Sequence, residues 1–255
     1  MPHNPGADDV NSFRKKRGLL IVLVAVVLAA ALALWLYLRP YEPNGSAEKA
    51  LLTGGGITVE VNDNWISFEP RVSLGMGIIF YPGGLVKAES YATLARRLAL
   101  AGYPVYIAVM PLNLAVTRSE AAEDIIRVHP GMSFVIGGHS LGGVMASRFA
   151  AKHADELAGV FFLASYPDDK GSLKSTTLSA LSVLGTEDKI IDRVKYSEGR
   201  SYLLDNTVYY SLEGGNHAQF GDYGPQKGDG EATITPERQQ ELTVRAMLDW
   251  MGNLR

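Results

Sequence analysis

The chain has 255 residues, of which 47% are hydrophobic, and this length is enough for one domain with a sizeable core. The part of the chain after residue 39 carries 19 basic and 25 acidic residues, so it lacks the excess of positive charge that is typical of nucleic acid binding. Cysteine is absent, which excludes a disulfide framework, a zinc–thiolate site and a cysteine nucleophile.

An uncharged run of 21 residues, "GLLIVLVAVVLAAALALWLYL", occupies positions 18–38. In a helix, at about 1.5 Å per residue, it spans the roughly 30 Å of bilayer hydrocarbon. The basic cluster "RKKR" before it predicts that residues 1–17 are cytoplasmic, and Trp35 and Tyr37 stand where an interfacial aromatic belt is expected at the other end. We therefore expect a single-pass protein of the cell membrane that contacts lipid through residues 18–38, with the remainder outside the cytoplasm.

A cleaved signal peptide is the alternative for this segment, because Ala31-Leu32-Ala33 resembles a small-residue cleavage site. The apolar region of a signal peptide runs for only about 7 to 15 residues, so the length favours the membrane anchor.

Residues 39–50, "RPYEPNGSAEKA", are polar and contain two prolines, which predicts a linker to a folded domain over residues 51–255. At the start of that domain, residues 57–62 and 65–70 are separated by Asp63 and Asn64, a pattern typical of a hairpin. Six further apolar runs are typical of strands buried on both faces of a parallel sheet. They are residues 76–81, 104–110, 133–138, 157–165, 180–185 and 207–213.

Helical periodicity appears between these runs, in residues 88–103, 117–128, 141–155 and 235–252. The last segment has an N-cap residue, Thr235, followed by Pro236 at the first helical position. Strands that alternate with helices predict an α/β fold, with a mostly parallel sheet of about eight strands and helices on both faces.

A glycine-flanked serine stands where one of these strands gives way to a helix. The sequence Gly138-His139-Ser140-Leu141-Gly142 fits G-x-S-x-G, in which a strained turn exposes the serine hydroxyl at the edge of the sheet. Glycine at both flanks removes side chains that would collide there. The motif therefore predicts Ser140 as a nucleophile, with the Leu141 N–H beside a developing oxyanion.

A serine nucleophile needs a base, and the chain has five histidines. His3 is in the segment predicted to be cytoplasmic, while His129 and His153 are placed at the wrong ends of their strand and helix. His139 is next to the serine, but neighbours at such a turn point apart. His217 follows the last predicted strand in a glycine-containing loop, and we therefore predict that it is the base.

The acid that orients the base is expected between serine and histidine in chain order. The sequence "VLGTEDKI" follows the penultimate predicted strand and offers Glu187 and Asp188. Asp188 is preferred because its shorter side chain suits a fixed loop carboxylate, and Glu187 remains the alternative.

The second oxyanion donor is expected in the loop after the third strand. That loop is "FYPGGLV", whose glycines allow the backbone to approach a substrate closely, and we predict that the N–H of Gly84 or Leu85 is the donor.

The motifs "GHSLGG", "GTED" and "GGNHAQFG" resemble those of the α/β-hydrolase superfamily, from residue 57 to the C-terminus. The tail from residue 214 is similar to membrane-anchored or exported bacterial enzymes of the dienelactone hydrolase and carboxylesterase branch. Serine replaces the cysteine nucleophile of dienelactone hydrolase, and "PGG" replaces the His-Gly of many esterases. The resemblance implies hydrolysis of an acyl bond without specifying a lactone.

Only a short segment separates Ser165 from Ala180, which is too short for a helical cap domain, so we expect an enzyme without a lid. Asn113 and Tyr223 lie in loops expected to wall the site and are candidate substrate contacts. The spacing of Asp222 and Asp229 fits no calcium loop, and no metal or cofactor is predicted.

Together these features predict a serine hydrolase that cleaves small carboxylic esters through an acyl-enzyme. A thioesterase or a peptidase would use the same three side chains. A catalytically inactive binding module on the cell surface is the alternative from a different class.

Overall fold

The structure is a computed structural model that describes residues 5–254, without the side chains of residues 5–16, 36 and 37. The side chains of His3, of Arg14, Lys15 and Lys16 in the "RKKR" cluster, and of Tyr37 lie outside the described part, so the expectations that rest on them remain predictions. The chain forms two compact units, residues 1–39 and residues 40–255.

The first unit contains one helix, α1, Pro5–Tyr37. Its segment Arg17–Trp35 has a mean hydropathy of 2.9 and none of it is buried within the protein. In the part of the chain that the structure describes, this is the one helix whose length and composition suit a membrane span, and a signal sequence would share both properties.

The second unit is built on one sheet of eight strands, as the sequence predicts. The strands are β1 Ile57–Val61, β2 Trp65–Pro70, β3 Met76–Tyr81, β4 Val105–Ala108, β5 Ser133–His139, β6 Leu157–Leu163, β7 Ser179–Gly185 and β8 Val208–Leu212. Their order in the sheet is β1-β2-β4-β3-β5-β6-β7-β8. β2 is antiparallel to β1 and β4, and the other neighbouring strands are parallel. The parallel strands therefore end at one shared edge.

Helices cover both faces of this sheet, and the sheet divides the hydrophobic core of the unit into two parts. The remaining helices are α2 Gly45–Ala50, α3 Ala92–Leu100, α4 Ala121–Val128, α5 Leu141–Lys152, α6 Arg193–Gly199 and α7 Pro236–Gly252. Leu98 of α3 and Trp250 of α7 belong to the core on one face. Ile125 of α4 and Phe149 of α5 belong to the core on the other face. The four helices expected from periodicity are present, whereas α2 and α6 were not predicted.

The connection between β6 and β7 is fully described and has one short 3₁₀ turn, Asp169–Gly171, as its only regular element. No helical cap domain is formed there, in agreement with the short spacing in the sequence.

Residues 40–50, for which the composition predicts a linker, are instead folded as part of the second unit. The Asn44 side chain accepts the Ser46 N–H at 3.0 Å and caps α2, whose residues Ala47 and Ala50 are buried. The guanidinium of Arg96 donates to the Ala50 carbonyl at 3.1 Å.

Backbone pairing joins the same segment to the loop after β3. The Tyr41 N–H donates to the Leu85 carbonyl at 2.7 Å, and the Lys87 N–H donates to the Tyr41 carbonyl at 3.2 Å. Composition does not predict these contacts, because most of the hydrogen bonds that hold the segment involve backbone groups, which are present in every sequence.

A chain that begins at residue 51 is therefore expected to be less stable than one that begins at residue 40, by about 2 kcal/mol or more, because it loses several hydrogen bonds and the burial of α2. Urea unfolding followed by circular dichroism measures the difference. Equal free energies of unfolding for the two chains would support a linker instead.

Candidate active site

Ser140 lies in the turn between β5 and α5 with a strained backbone. Its φ of 52° and ψ of −123° are rare for a residue with a side chain, and such strain occurs most often at functional sites. The turn is stabilised by two hydrogen bonds, from the Ser140 N–H to the Leu163 carbonyl at 3.0 Å and from the Ser165 hydroxyl to the Ser140 carbonyl at 2.6 Å.

The two motif glycines leave no room for a side chain. A Cβ on Gly138 or on Gly142 would overlap the backbone carbonyl of Tyr81, at the end of β3. The glycines therefore allow the turn to pack tightly against the neighbouring strand, as the motif predicts.

His217 and Asp188 come together from the loops after β8 and β7. The Nδ1 of His217 is 2.8 Å from Oδ2 of Asp188, and both side chains are buried. The other carboxylate oxygen, Oδ1, accepts the N–H groups of Ile190 and Ile191, each at 2.9 Å. An ionised Asp188 requires the ring proton on Nδ1, which leaves a lone pair on Nε2.

Glu187, the alternative acid, makes a different contact. Its carboxylate accepts the Thr186 hydroxyl at 3.3 Å, and its side chain is half-buried. Of the two acids that the sequence offers, Asp188 is the one that contacts His217.

Ser140 and His217 line the same cavity of about 250 Å³. Its other walls are Leu141, Val144, Ala164, Ser165, Tyr166, Ile190, Ile191 and Asp192. Apolar side chains surround the serine, which suits the acyl or alcohol part of a small ester. A second cavity, of about 450 Å³, is lined by Asn216 and Ala218, the sequence neighbours of His217.

Two backbone N–H groups were predicted as oxyanion donors together with Leu85, and of their residues Leu141 lines the Ser140 cavity whereas Gly84 is not among the lining residues. Within residues 5–254, the N–H groups of Gly84 and Leu141 have no acceptor. The two residues are neighbours, since a Cβ on Gly84 would lie 3.3 Å from Cδ2 of Leu141.

The N–H of Leu85, the other candidate donor, is already used. It donates to the carbonyl of Asn113 at 2.7 Å, so it is not available to an oxyanion in this conformation. Of the two alternatives, Gly84 has the unoccupied N–H.

Asn113 and Tyr223 are not among the residues that line the Ser140 cavity, contrary to expectation. Asn113 has a φ of 53° and supports the Gly84 loop through its carbonyl. Tyr223 is buried, and its hydroxyl donates to the Gln226 side chain at 3.0 Å. The position of a residue in a loop does not show whether its side chain lines the cavity or packs behind the residues that do.

Sequence reasoning missed the contact between His139 and His217. The His139 ring is buried, its centroid is 4.5 Å from that of His217, and its Nδ1 is 2.9 Å from the Tyr91 hydroxyl. Burial, and then the nearby His217, hold the pKa of His139 well below its usual value. Tyr91 lies within residues 88–103, which the sequence predicts to be helical, and no sequence motif marks its hydroxyl.

One group of side chains could approach a metal ion, at the opposite end of α5 from Ser140. Ligand atoms of Glu120, Glu123 and His153 lie within 4.8 Å of one another. Lys152 already pairs with Glu120 at 2.7 Å, and the group shares no residue with the cavity. It is therefore separate from the candidate active site.

Part of the chain is similar to a curated enzyme. Over 125 residues the chain is 30% identical to the pimeloyl-[acyl-carrier protein] methyl ester esterase of Photorhabdus laumondii, a match that spans 48% of this chain and 38% of that enzyme.

Solved structures share the fold at low identity. A predicted CIB-like hydrolase from Thermoplasma acidophilum has a TM-score of 0.56 at 17% identity, covering 75% of this chain and 99% of that one. A novel esterase from Mycobacterium tuberculosis has a TM-score of 0.56 at 16% identity, covering 80% of this chain and 95% of that one.

The model of the alpha/beta hydrolase family matches residues 77–241, which is more than half of the chain. This range includes all of β3 except its first residue, the strands β4 to β8, and Ser140, Asp188 and His217. By fold and by sequence, the chain is a member of the alpha/beta hydrolase family.

Proposed function

We propose that this hydrolase is a serine esterase in which Ser140 is the nucleophile, His217 the base and Asp188 the acid that orients the base. The observation that carries the proposal is the buried 2.8 Å contact between His217 and Asp188, beside the cavity that holds the strained Ser140. Each of the three groups follows a different strand at the shared edge of the sheet.

In this mechanism Ser140 Oγ attacks the ester carbonyl carbon while His217 Nε2 takes the hydroxyl proton. The carbonyl oxygen becomes an oxyanion that accepts the N–H groups of Gly84 and Leu141. When the carbon–oxygen bond of the ester breaks, His217 returns the proton to the departing alcohol. Water then attacks the acyl-enzyme with the same base, which releases the acid and restores Ser140.

Carboxylic esters are the proposed substrates because the matched curated relative is named as a methyl ester esterase and a structural neighbour as an esterase. The small apolar cavity suits an ester with a short group next to the carbonyl. No cap domain forms between β6 and β7, so a larger group on the other side of the ester can extend out of the cavity.

The protein is further proposed to be anchored in the cell membrane by α1, with the hydrolase unit outside the cytoplasm. The support is the length and hydropathy of Arg17–Trp35 and the basic residues that precede it.

Ser140→Ala is expected to abolish labelling by a fluorophosphonate probe and to reduce turnover of p-nitrophenyl butyrate by at least about 10⁴-fold, since no nucleophile remains. Ser165→Ala tests the other serine of the cavity and should still be labelled, although more slowly because it loses the hydrogen bond to the Ser140 carbonyl. Gel fluorescence and absorbance measure the two effects. Undiminished labelling of Ser140→Ala would refute the nucleophile.

Asp188→Asn is expected to lower kcat by about 10⁴-fold, because an amide cannot hold the His217 ring in the required tautomer. Glu187→Gln makes the same chemical change one residue away and should leave kcat within about threefold of the wild type. Steady-state kinetics with the same ester compares them. A large loss in Glu187→Gln with little loss in Asp188→Asn would assign the role to Glu187.

Membrane anchoring is expected to keep the full-length chain in the pellet after carbonate extraction, because burying the apolar helix in lipid is strongly favourable. A peripheral protein of the same membrane serves as the released control. Recovery in the supernatant of a chain that still contains residues 18–38 would overturn the anchor, and recovery of a shortened chain would indicate a cleaved signal peptide.

A further inference from the structure

A chain of contacts joins the loop that holds Gly84 to the ring of His217. It begins at the backbone N–H of Gly83, which is 2.9 Å from the Tyr91 hydroxyl, and continues to Nδ1 of His139, also 2.9 Å from that hydroxyl. The His139 ring then packs against the His217 ring, with 4.5 Å between centroids. The proposed mechanism uses neither Tyr91 nor His139.

Proton positions along this chain follow from what each group can donate. The Gly83 N–H can only donate, so the Tyr91 oxygen accepts from it. The phenol then has its own proton to donate, and Nδ1 of His139 is the acceptor within reach. His139 is thereby held as the neutral tautomer with its proton on Nε2. Nε2 of His139 is buried and has no hydrogen-bond partner among the described residues in either tautomer, and the opposite tautomer would also leave the buried phenol proton without a partner, which is unfavourable.

The residues packed around Tyr91 and His139 leave these two side chains little freedom to move. His139 and Tyr91 are each about 1% exposed. Phe80 packs on Tyr91 with 4.7 Å between ring centroids, and Phe220 lies 5.7 Å from His139. A Cβ on Gly83 would come within 2.7 Å of His139 Nδ1, so the backbone approaches the ring as closely as glycine allows.

The two ends of this chain of contacts lie next to the proposed oxyanion donor and the proposed base. The relative position of these two groups matters most for ester hydrolysis. Gly83 directly precedes Gly84, whose N–H is the proposed oxyanion donor, and His139 contacts the proposed base. The order of loops along the sheet brings these ends together, since Gly83 follows β3 and His139 ends the adjacent strand β5.

We propose that Tyr91 and His139 are positioning residues, which set the distance between the Gly84 N–H and the His217 ring through the hydrogen bonds of the Tyr91 hydroxyl. This inference rests on the proposed function of Ser140, His217 and Gly84. It assigns a role in the reaction to two side chains that do not line the cavity.

Tyr91→Phe tests the proposal because it keeps the ring and removes only the hydroxyl. In the full chain in detergent solution, kcat for p-nitrophenyl butyrate is expected to fall by about tenfold with KM within about twofold, since a misplaced oxyanion donor weakens binding of the transition state and not of the ester. Tyr106→Phe is the matched control. Tyr106 is equally buried, and its hydroxyl donates to Glu69 at 2.6 Å on the far side of β4.

Tyr91→Phe loses two buried hydrogen bonds and Tyr106→Phe loses one part-buried hydrogen bond to a carboxylate, so both are expected to unfold at a lower temperature, whereas only Tyr91→Phe should lose kcat. His139→Gln is a second variant, which removes the ring against His217 and should also lower kcat at constant KM. Equal kcat values for Tyr91→Phe and Tyr106→Phe, or a raised KM at unchanged kcat, would overturn the proposal.

Nitrogen-15 spectra of the histidine side chains give a readout that does not need turnover. The resonances lost in His139→Gln are expected to show Nδ1 unprotonated and Nε2 protonated in the wild-type chain. A proton on Nδ1 would contradict the proposed hydrogen bonds. An inactive wild type with the expected tautomer would refute the esterase and leave the chain of contacts intact.

Discussion

The buried hydrogen bond between His217 and Asp188 is the interaction on which the candidate site depends. A carboxylate in a protein interior is costly unless its lone pairs are occupied, and removing one partner of such a pair costs about 3 to 5 kcal/mol. Asp188 meets this requirement with two backbone N–H groups and the His217 ring. The loops after β7 and β8 are therefore held together, and His217 is fixed where it lines the cavity with Ser140.

The sheet was predictable from sequence because buried parallel strands are continuous apolar runs. The turn at Ser140 was equally clear, since glycine is required where a Cβ would overlap the backbone of Tyr81. Chain order placed His217 after the last strand and an acid after the preceding strand. These features follow from local sequence together with one topological rule, that parallel strands end at a shared edge.

Features that depend on backbone partners or on packing between distant segments were not predictable. Residues 40–50 look like a linker, yet their backbone pairs with the loop after β3. The sequence offers Leu85 and Gly84 equally as candidate oxyanion donors, and only the structure shows that the Leu85 N–H donates to the Asn113 carbonyl. Tyr91 and His139 are 48 residues apart, and only the folded sheet brings the phenol to the imidazole.

In the proposed mechanism the hydroxyl of Ser140 forms the covalent intermediate. The most direct test of this step is mass spectrometry of peptides from the wild-type chain after reaction with a fluorophosphonate. The proposed mechanism requires one adduct, on the peptide that contains Ser140, and fragmentation of that peptide should place the added mass on Ser140. An adduct on another side chain, or an unmodified chain that still hydrolyses esters, would contradict it.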